Sequence, residues 1–215
     1  MKKFLMFALM AAVAAVMAGC ALDVIATGSV SALDKTLGAM PGGVTFGGDG
    51  LSVASPDGDA KFILRKDWSG DMDALLEVDA TPLLAAGLDA SRLPEGYLLE
   101  GETLYVGRDM GDGVLQGDAP LALYEALIAR RPDVLGFHAS LGHFGVDLGG
   151  SMFEWAKDLG AGDKDIVYVL NPDPLVAAGL KPEAVDGWVY AQIETMDAYG
   201  AKISAYKLLK PFDLA

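Results

Sequence analysis

Only one cysteine occurs in the 215 residues, and it stands at position 20. No disulfide can therefore form within the chain, and the fold must be held by packing. The remainder of the sequence offers no thiol nucleophile, no Gly-x-Ser-x-Gly elbow and no phosphate-binding glycine loop. Histidine is almost as scarce, with His138 and His143 the only two. Basic residues are few as well: 16 Lys and Arg stand against 30 Asp and Glu. A surface of that sign is repelled by nucleic acid, which is excluded as a partner, and by anionic lipid headgroups. It attracts cationic partners and divalent metals, but its simplest reading is a well-solvated acidic exterior.

Long apolar runs are confined to the start of the chain. Lys2 and Lys3 precede an unbroken apolar run at residues 4–16, followed by the small-residue stretch Met17-Ala18-Gly19-Cys20. Charge, then apolar run, then small residues is the order of a secretory signal. The run is too short for a spanning helix, which needs about 20 apolar residues. The stretch Met17-Ala18-Gly19-Cys20 resembles the lipobox of bacterial lipoproteins, with Met17 where that family most often has Leu. The resemblance covers residues 1–20. It implies that Cys20 receives a diacylglyceryl group, that the chain is cut before it, and that the new amine is acylated. Two or three acyl chains make such an anchor lasting, because each buried methylene contributes about 0.8 kcal/mol. An ordinary cleaved signal that leaves Cys20 as a free thiol is the alternative reading.

On the lipoprotein reading, residues 1–19 are the signal and residues 20–42 a lipidated leader, in which Val30, Leu33 and Leu37 have helical spacing. The mature chain keeps 14 basic residues against 30 acidic ones, a net charge of −16. Ala21 rather than Asp after Cys20 matches the family's habit of sorting to the outer membrane, facing the periplasm, where the cell has two membranes.

Beyond the leader the sequence repeats itself. Pro82-Leu83-Leu84-Ala85-Ala86-Gly87-Leu88 recurs as Pro174-Leu175-Val176-Ala177-Ala178-Gly179-Leu180, and Phe46 and Phe62 match Phe137 and Phe153. Gly96-Tyr97 matches Gly187-Trp188, and the run 118–132 aligns with 197–211. Two tandem copies follow, at 43–132 and 133–215. Gly107-Arg108-Asp109-Met110-Gly111-Asp112-Gly113 is an excess in the first, expected as a surface loop.

Short β-prone runs bounded by Gly and Asp predict strands at 61–65, 74–78, 152–156 and 166–170, the last apolar enough to be central. Strands are also expected at 97–106 and 188–193. The repeated Pro-Leu segment specifies a helical turn: Thr81 or Asp173 as cap, proline in the first turn, and Gly87 or Gly179 as the left-handed terminator. A longer helix is expected to close each copy, at 118–131 with Asp118 as cap and at 201–210. The fold class is therefore α+β, two pseudo-symmetric copies of mostly antiparallel short strands with two helices each.

Candidate chemistry is thin. Asp67, Asp71 and Asp73, with Asp158, Asp163 and Asp165 in the second copy, are the best calcium candidates, since calcium takes six or more oxygens. Their spacing departs from the EF-hand, and Asp with Gly is what a strand-connecting turn favours. Asp109 and Asp112 read as a solvated loop. His138, His143 and Asp147 are the residue types of a zinc site, but one strand through both histidines would put them on opposite faces. They read as partly buried or exposed single histidines. Ser204-Ala205-Tyr206-Lys207 has the Ser-x-x-Lys spacing of penicillin-binding enzymes, without the Ser-Asp-Asn and Lys-Thr-Gly elements. Trp68, Trp155, Tyr168, Trp188 and Tyr190 suit a core better than a ligand groove.

The sequence thus assigns no catalytic residue, no metal ligand and no cofactor; Cys20, for lipid, is its one site. The expected function is a membrane-anchored envelope lipoprotein, a non-enzymatic binding or scaffold module for an envelope protein or small ligand in a cleft between its halves. The alternative is a metal-dependent or hydrolytic enzyme acting on cell-wall or periplasmic substrates.

Overall fold

The computed structural model describes residues 44–212, apart from 56, 69, 115–119, 132–133, 139–142, 157–165 and 197–201. The signal, Cys20 and the leader lie outside the described residues. Among the described ones, no helix is long and apolar enough to cross a membrane.

Two six-stranded antiparallel sheets dominate. The first runs β1 (Val44–Gly47), β2 (Gly50–Ala54), β3 (Ala60–Arg65), β5 (Ala74–Asp79), β7 (Thr103–Arg108), β6 (Tyr97–Glu100). The second runs β9 (Leu135–His138), β10 (His143–Asp147), β11 (Met152–Ala156), β12 (Ile166–Leu170), β14 (Lys202–Phe212), β13 (Val189–Met196). In each, four strands meander and the final hairpin joins with its second strand innermost. The two sheets fit an arrangement in two copies. A small ribbon pairs β4 (Asp67–Trp68) with β8 (Gly113–Val114).

Helices are few: α1 (Thr81–Ala85), α2 (Pro120–Arg130) and α3 (Pro172–Ala177), with 3-10 turns at Ala90–Arg92 and Pro182–Ala184. The helix expected at 201–210 is instead part of β14, so two helices per copy is a correction. Gly200 and Ser204 are weak helix formers. More decisively, β14 is central and hydrogen-bonds β12 on one side and β13 on the other, so tertiary pairing overrides a weak local preference. With it falls the alignment of 118–132 with 197–211, since α2 and β14 are different structures.

The repeated segment folds at both sites as a turn of helix, but Thr81 and Asp173 are not its caps: the cap position of α1 is Ala80, which has no side-chain cap. Before α1, Asp79 Oδ1 accepts from the Thr81 backbone N–H at 2.9 Å and from its hydroxyl at 2.7 Å. At α3 the cap is Asn171, which accepts from the Asp173 N–H at 3.2 Å. Both ends close as the sequence requires: Leu88 N–H donates to Leu83 O and Leu180 N–H to Leu175 O, around Gly87 and Gly179 at φ +98° and +101°.

These two turns then meet. Asp89 N–H donates to Ala178 O at 2.9 Å, and Lys181 N–H donates to Ala86 O at 3.0 Å. The Arg92 guanidinium adds a bond to Ala177 O. A Cβ on Gly87 would lie 3.1 Å from Gly179 O, and one on Gly179 would lie 2.9 Å from Gly87 O. Glycine is thus required here twice over, for the backbone angle and for the close approach.

The sheets face each other across one apolar core. Leu51, Val53, Phe62, Leu64 and Leu76 from the first interdigitate with Val146, Phe153, Ile166, Tyr168 and Leu208 from the second. At the centre Phe62 and Phe153 stack, with ring centroids 5.3 Å apart and planes 3° from parallel. Tyr168 packs against Phe153 at 5.4 Å and donates its hydroxyl to Val53 O at 3.0 Å, so its one polar atom is satisfied. At the rim, Lys210 reaches from β14 to Asp59 at 2.9 Å and Asp57 at 3.3 Å.

Removing the central ring by Phe153→Ala is expected to cost about 3–5 kcal/mol of unfolding free energy in urea titrations. Gly179→Ala is expected to cost about 1–3 kcal/mol, because a side chain must adopt a left-handed angle against a carbonyl. An unchanged midpoint in either variant would contradict the packing described.

Candidate functional site

The core between the sheets is built from buried side chains, and among the described residues two concavities lie at one end of the first sheet. A depression of about 560 Å³ opens where the β1–β2 hairpin meets the loop from β4 to β5. A second, of about 330 Å³, continues along the outer face of β1, β2 and β3, sharing Gly48, Asp49 and Arg65.

The hairpin and loop bring Asp67, Asp71 and Asp73 to the larger depression, joined by Asp49, which sequence reasoning had not singled out. Asp73 is not available as a ligand. It is fully buried, and its two oxygens accept from Gly70 N–H and Met110 N–H, both at 3.1 Å. Burial pushes its carboxyl above the ordinary range, a shift opposed by the two N–H groups, reinforced by Asp109 and opposed by Arg65. Arg65 in turn donates Nε to Met72 O at 3.0 Å. Asp73 is therefore a brace between two loops. Among the described residues no three His, Cys, Asp or Glu side chains gather as metal ligands. Asp158, Asp163 and Asp165 lie outside the described residues.

The excess stretch 107–113 is more than a surface loop. Met110 is buried against the core, Asp73 holds its N–H, and Arg131 and Arg130 of the helix end donate to Asp109 O at 2.6 Å and Asp112 O at 3.1 Å. Asp109 and Asp112 are both exposed.

The Ser-x-x-Lys motif does not assemble. It lies on a strand, where residues three apart project to opposite faces, and Ser204 is exposed. Lys207 is occupied elsewhere, donating to Gly150 O at 2.8 Å in the β10–β11 turn. Burial lowers its affinity for a proton, while Asp147 and Asp173 work in the other direction. In the same turn the buried Ser151 hydroxyl accepts from Asn171 N–H at 3.0 Å and meets the Tyr97 hydroxyl at 3.5 Å.

Of the aromatics, Trp68, Tyr168 and Trp188 are buried and Tyr190 is half-buried, stacked on Tyr206 at 5.0 Å. Trp68 donates Nε1 to Arg65 O at 2.8 Å.

The histidines differ most from expectation. They occupy two strands, not one: His138 ends β9, His143 begins β10, and the two are direct Cα partners in the antiparallel pair. The premise of one strand running through both is thereby removed; their side chains lie outside the described residues. No single-residue pattern signals this; only the hairpin between them does.

The carboxylate brace makes a sharp distinction among neighbouring acids. Asp73→Ala, which leaves the buried Met110 N–H without an acceptor, is expected to cost about 1–3 kcal/mol in urea unfolding. Asp71→Asn, at an exposed position of the same depression, is expected to change stability by less than about 0.5 kcal/mol. Comparison with protein-family models, curated proteins and solved structures gives no match to this chain.

Proposed function

We propose that this protein is a lipid-anchored protein of the bacterial envelope. Its body is a non-enzymatic binding or scaffold module made of two copies related by a pseudo-twofold axis. The observation that carries the address is the position of the one cysteine, at the end of the run Lys2-Lys3, residues 4–16 and Met17-Ala18-Gly19. In this reading residues 1–19 are removed, Cys20 holds the lipid, and residues 20–42 lead to the body. The protein faces the periplasm from the outer membrane in a cell with two membranes.

The twofold relation is supported by reciprocity. Ala86 and Asp89 bond to Lys181 and Ala178, which are the corresponding positions of the other copy. Phe62 and Phe153, also corresponding, stack on each other. Contacts that map onto themselves when the partners are exchanged are the mark of an isologous interface. A module so joined offers its loops and the outer face of its first sheet to partners.

The polar side chains support a binding or scaffold role over hydrolysis. Asp73, Ser151 and Lys207 each hold a loop or turn in place.

Mass spectrometry of the protein extracted from membranes tests the anchor. The expected result is a chain beginning at Cys20 and carrying acyl mass, with Cys20→Ser released into the soluble envelope fraction or retained uncut. An unmodified Cys20 in wild type, or a cleaved and membrane-bound Cys20→Ser protein, would sink the proposal.

A further inference from the structure

We infer that the leader, residues 20–42, folds back onto the outer face of the second sheet and covers it, with Val30, Leu33, Leu37 and Met40 as its contact side.

That face is apolar and buried, yet it has no second layer among the described residues. One row crosses four strands: Met152 pairs with Val169, Val169 with Leu209, and Leu209 with Val189. Val167, Ala191 and Ile193 flank the row, and every member of the cluster lies on a strand. The described helices are committed elsewhere, since Leu83, Leu123, Leu127 and Leu175 belong to the core between the sheets. One layer of side chains cannot bury itself; a sheet face becomes dry when another element packs on it.

The β13–β14 hairpin shows the contrast within a few residues. On the side turned toward the first sheet, Gln192 and its cross-strand partner Tyr206 are exposed, Tyr206 to 51%. On the opposite side Ile193, the next residue along, is 2% exposed. An edge strand that is wet on its inward side and dry on its outward side is covered from outside. The burial is that of a single chain, so the cover is one of the chain's own segments.

The leader has the starting point, the length and the pattern to be that segment. It enters β1, an edge strand of the first sheet. Tyr168 of β12 bonds to Val53 of β2, and Lys210 of β14 reaches Asp57 and Asp59 just after β2. The strand β2 therefore lies over β12, and β1 lies toward β14 and β13. The chain before Val44 thus leaves the body beside the strands that carry the apolar cluster. Crossing from β11 to β13 takes three inter-strand steps of about 4.7–4.9 Å. As a helix rising about 1.5 Å per residue, Val30 to Met40 spans about 15 Å, which matches. Val30, Leu33, Leu37 and Met40 recur at intervals of three and four, so one helical side gathers them and the other takes Ser31 and Lys35. Pro41-Gly42-Gly43 then stops the helix before β1. The connections 157–165 and 197–201 of the second sheet hold one large apolar residue each, Leu159 and Tyr199, too little to cover such a face.

Docking requires no lipid. Its consequence for orientation does rest on the proposed lipid at Cys20: an anchor held against the second sheet turns that sheet toward the bilayer and the outer face of the first sheet away from it.

Maleimide labelling of introduced thiols in the detergent-purified full chain tests the docking, with labels located by peptide mapping so that the state of Cys20 does not enter. Ile193→Cys is expected to react at least about tenfold more slowly than Gln192→Cys, because its thiol must wait for local opening. Adding Leu33→Ser with Leu37→Ser should raise the Ile193→Cys rate at least about tenfold, leave Gln192→Cys unchanged and admit trypsin after Lys35. Ser31→Ala should do none of these. Circular dichroism checks that each variant is folded, and where one is not, Ala191→Cys or Leu37→Ala takes its place. Equal labelling of Ile193→Cys and Gln192→Cys with the leader intact would show an open face. Continued protection of Ile193→Cys in a folded leader variant would show that another segment covers it. Either result would overturn the inference.

Discussion

Packing of one antiparallel sheet face to face on another, with Phe62 stacked on Phe153 at its centre, is the constraint on which the remaining structure depends. Without a disulfide, the body must draw its stability from burial. Each sheet supplies one apolar face, and neither face can be left to water. The Tyr168 hydroxyl shows how closely the surfaces fit. It sits in the core without penalty because Val53 O accepts its proton, and burial accordingly pushes its ionisation far above the ordinary range.

The junction of α1 and α3 locks the same arrangement at the edge. Two short helices, each ended by a glycine at positive φ, exchange backbone hydrogen bonds that neither could make alone. Backbone groups at helix ends want partners, and here each copy's end provides them for the other. The acceptors are carbonyls, so the contact tolerates different side chains on either side. This explains how the proposed copies can diverge in their loops and outer faces while the junction keeps Ala-Ala-Gly-Leu in both.

Divergence is visible on those outer faces. On the first sheet Ser52, Lys61, Ile63 and Glu77 alternate away from the core, and Lys61 pairs loosely with Glu77 at 3.9 Å. An exposed pair of that length contributes little to stability. On the second sheet, Met152, Val167, Val169, Ile193 and Leu209 form a buried apolar cluster of their own, separate from the core between the sheets. Every residue of β12 is buried, as its unbroken Ile-Val-Tyr-Val-Leu suggests for a central strand. Among the described residues, acidic side chains by contrast tie turns and loops, where Asp57 and Asp59 meet Lys210 and Asp73 braces its neighbours.

Local information in the sequence determined the short elements. Strands at Met152–Ala156 and Ile166–Leu170 follow from apolar runs between Gly and Asp, and both Pro-Leu turns follow from proline at one end and glycine at the other. The lipobox-like segment, likewise, is readable because signals of that kind are linear. Tertiary structure decided what depends on partners distant in the chain. Residues 202–212 became a strand because ladders on both sides outweigh their weak helical pattern, and Asp73 became a brace because a loop 37 residues away presents its N–H. His138 and His143 became neighbours because the chain reverses between them, and a periodicity argument applied to one continuous strand cannot see a reversal.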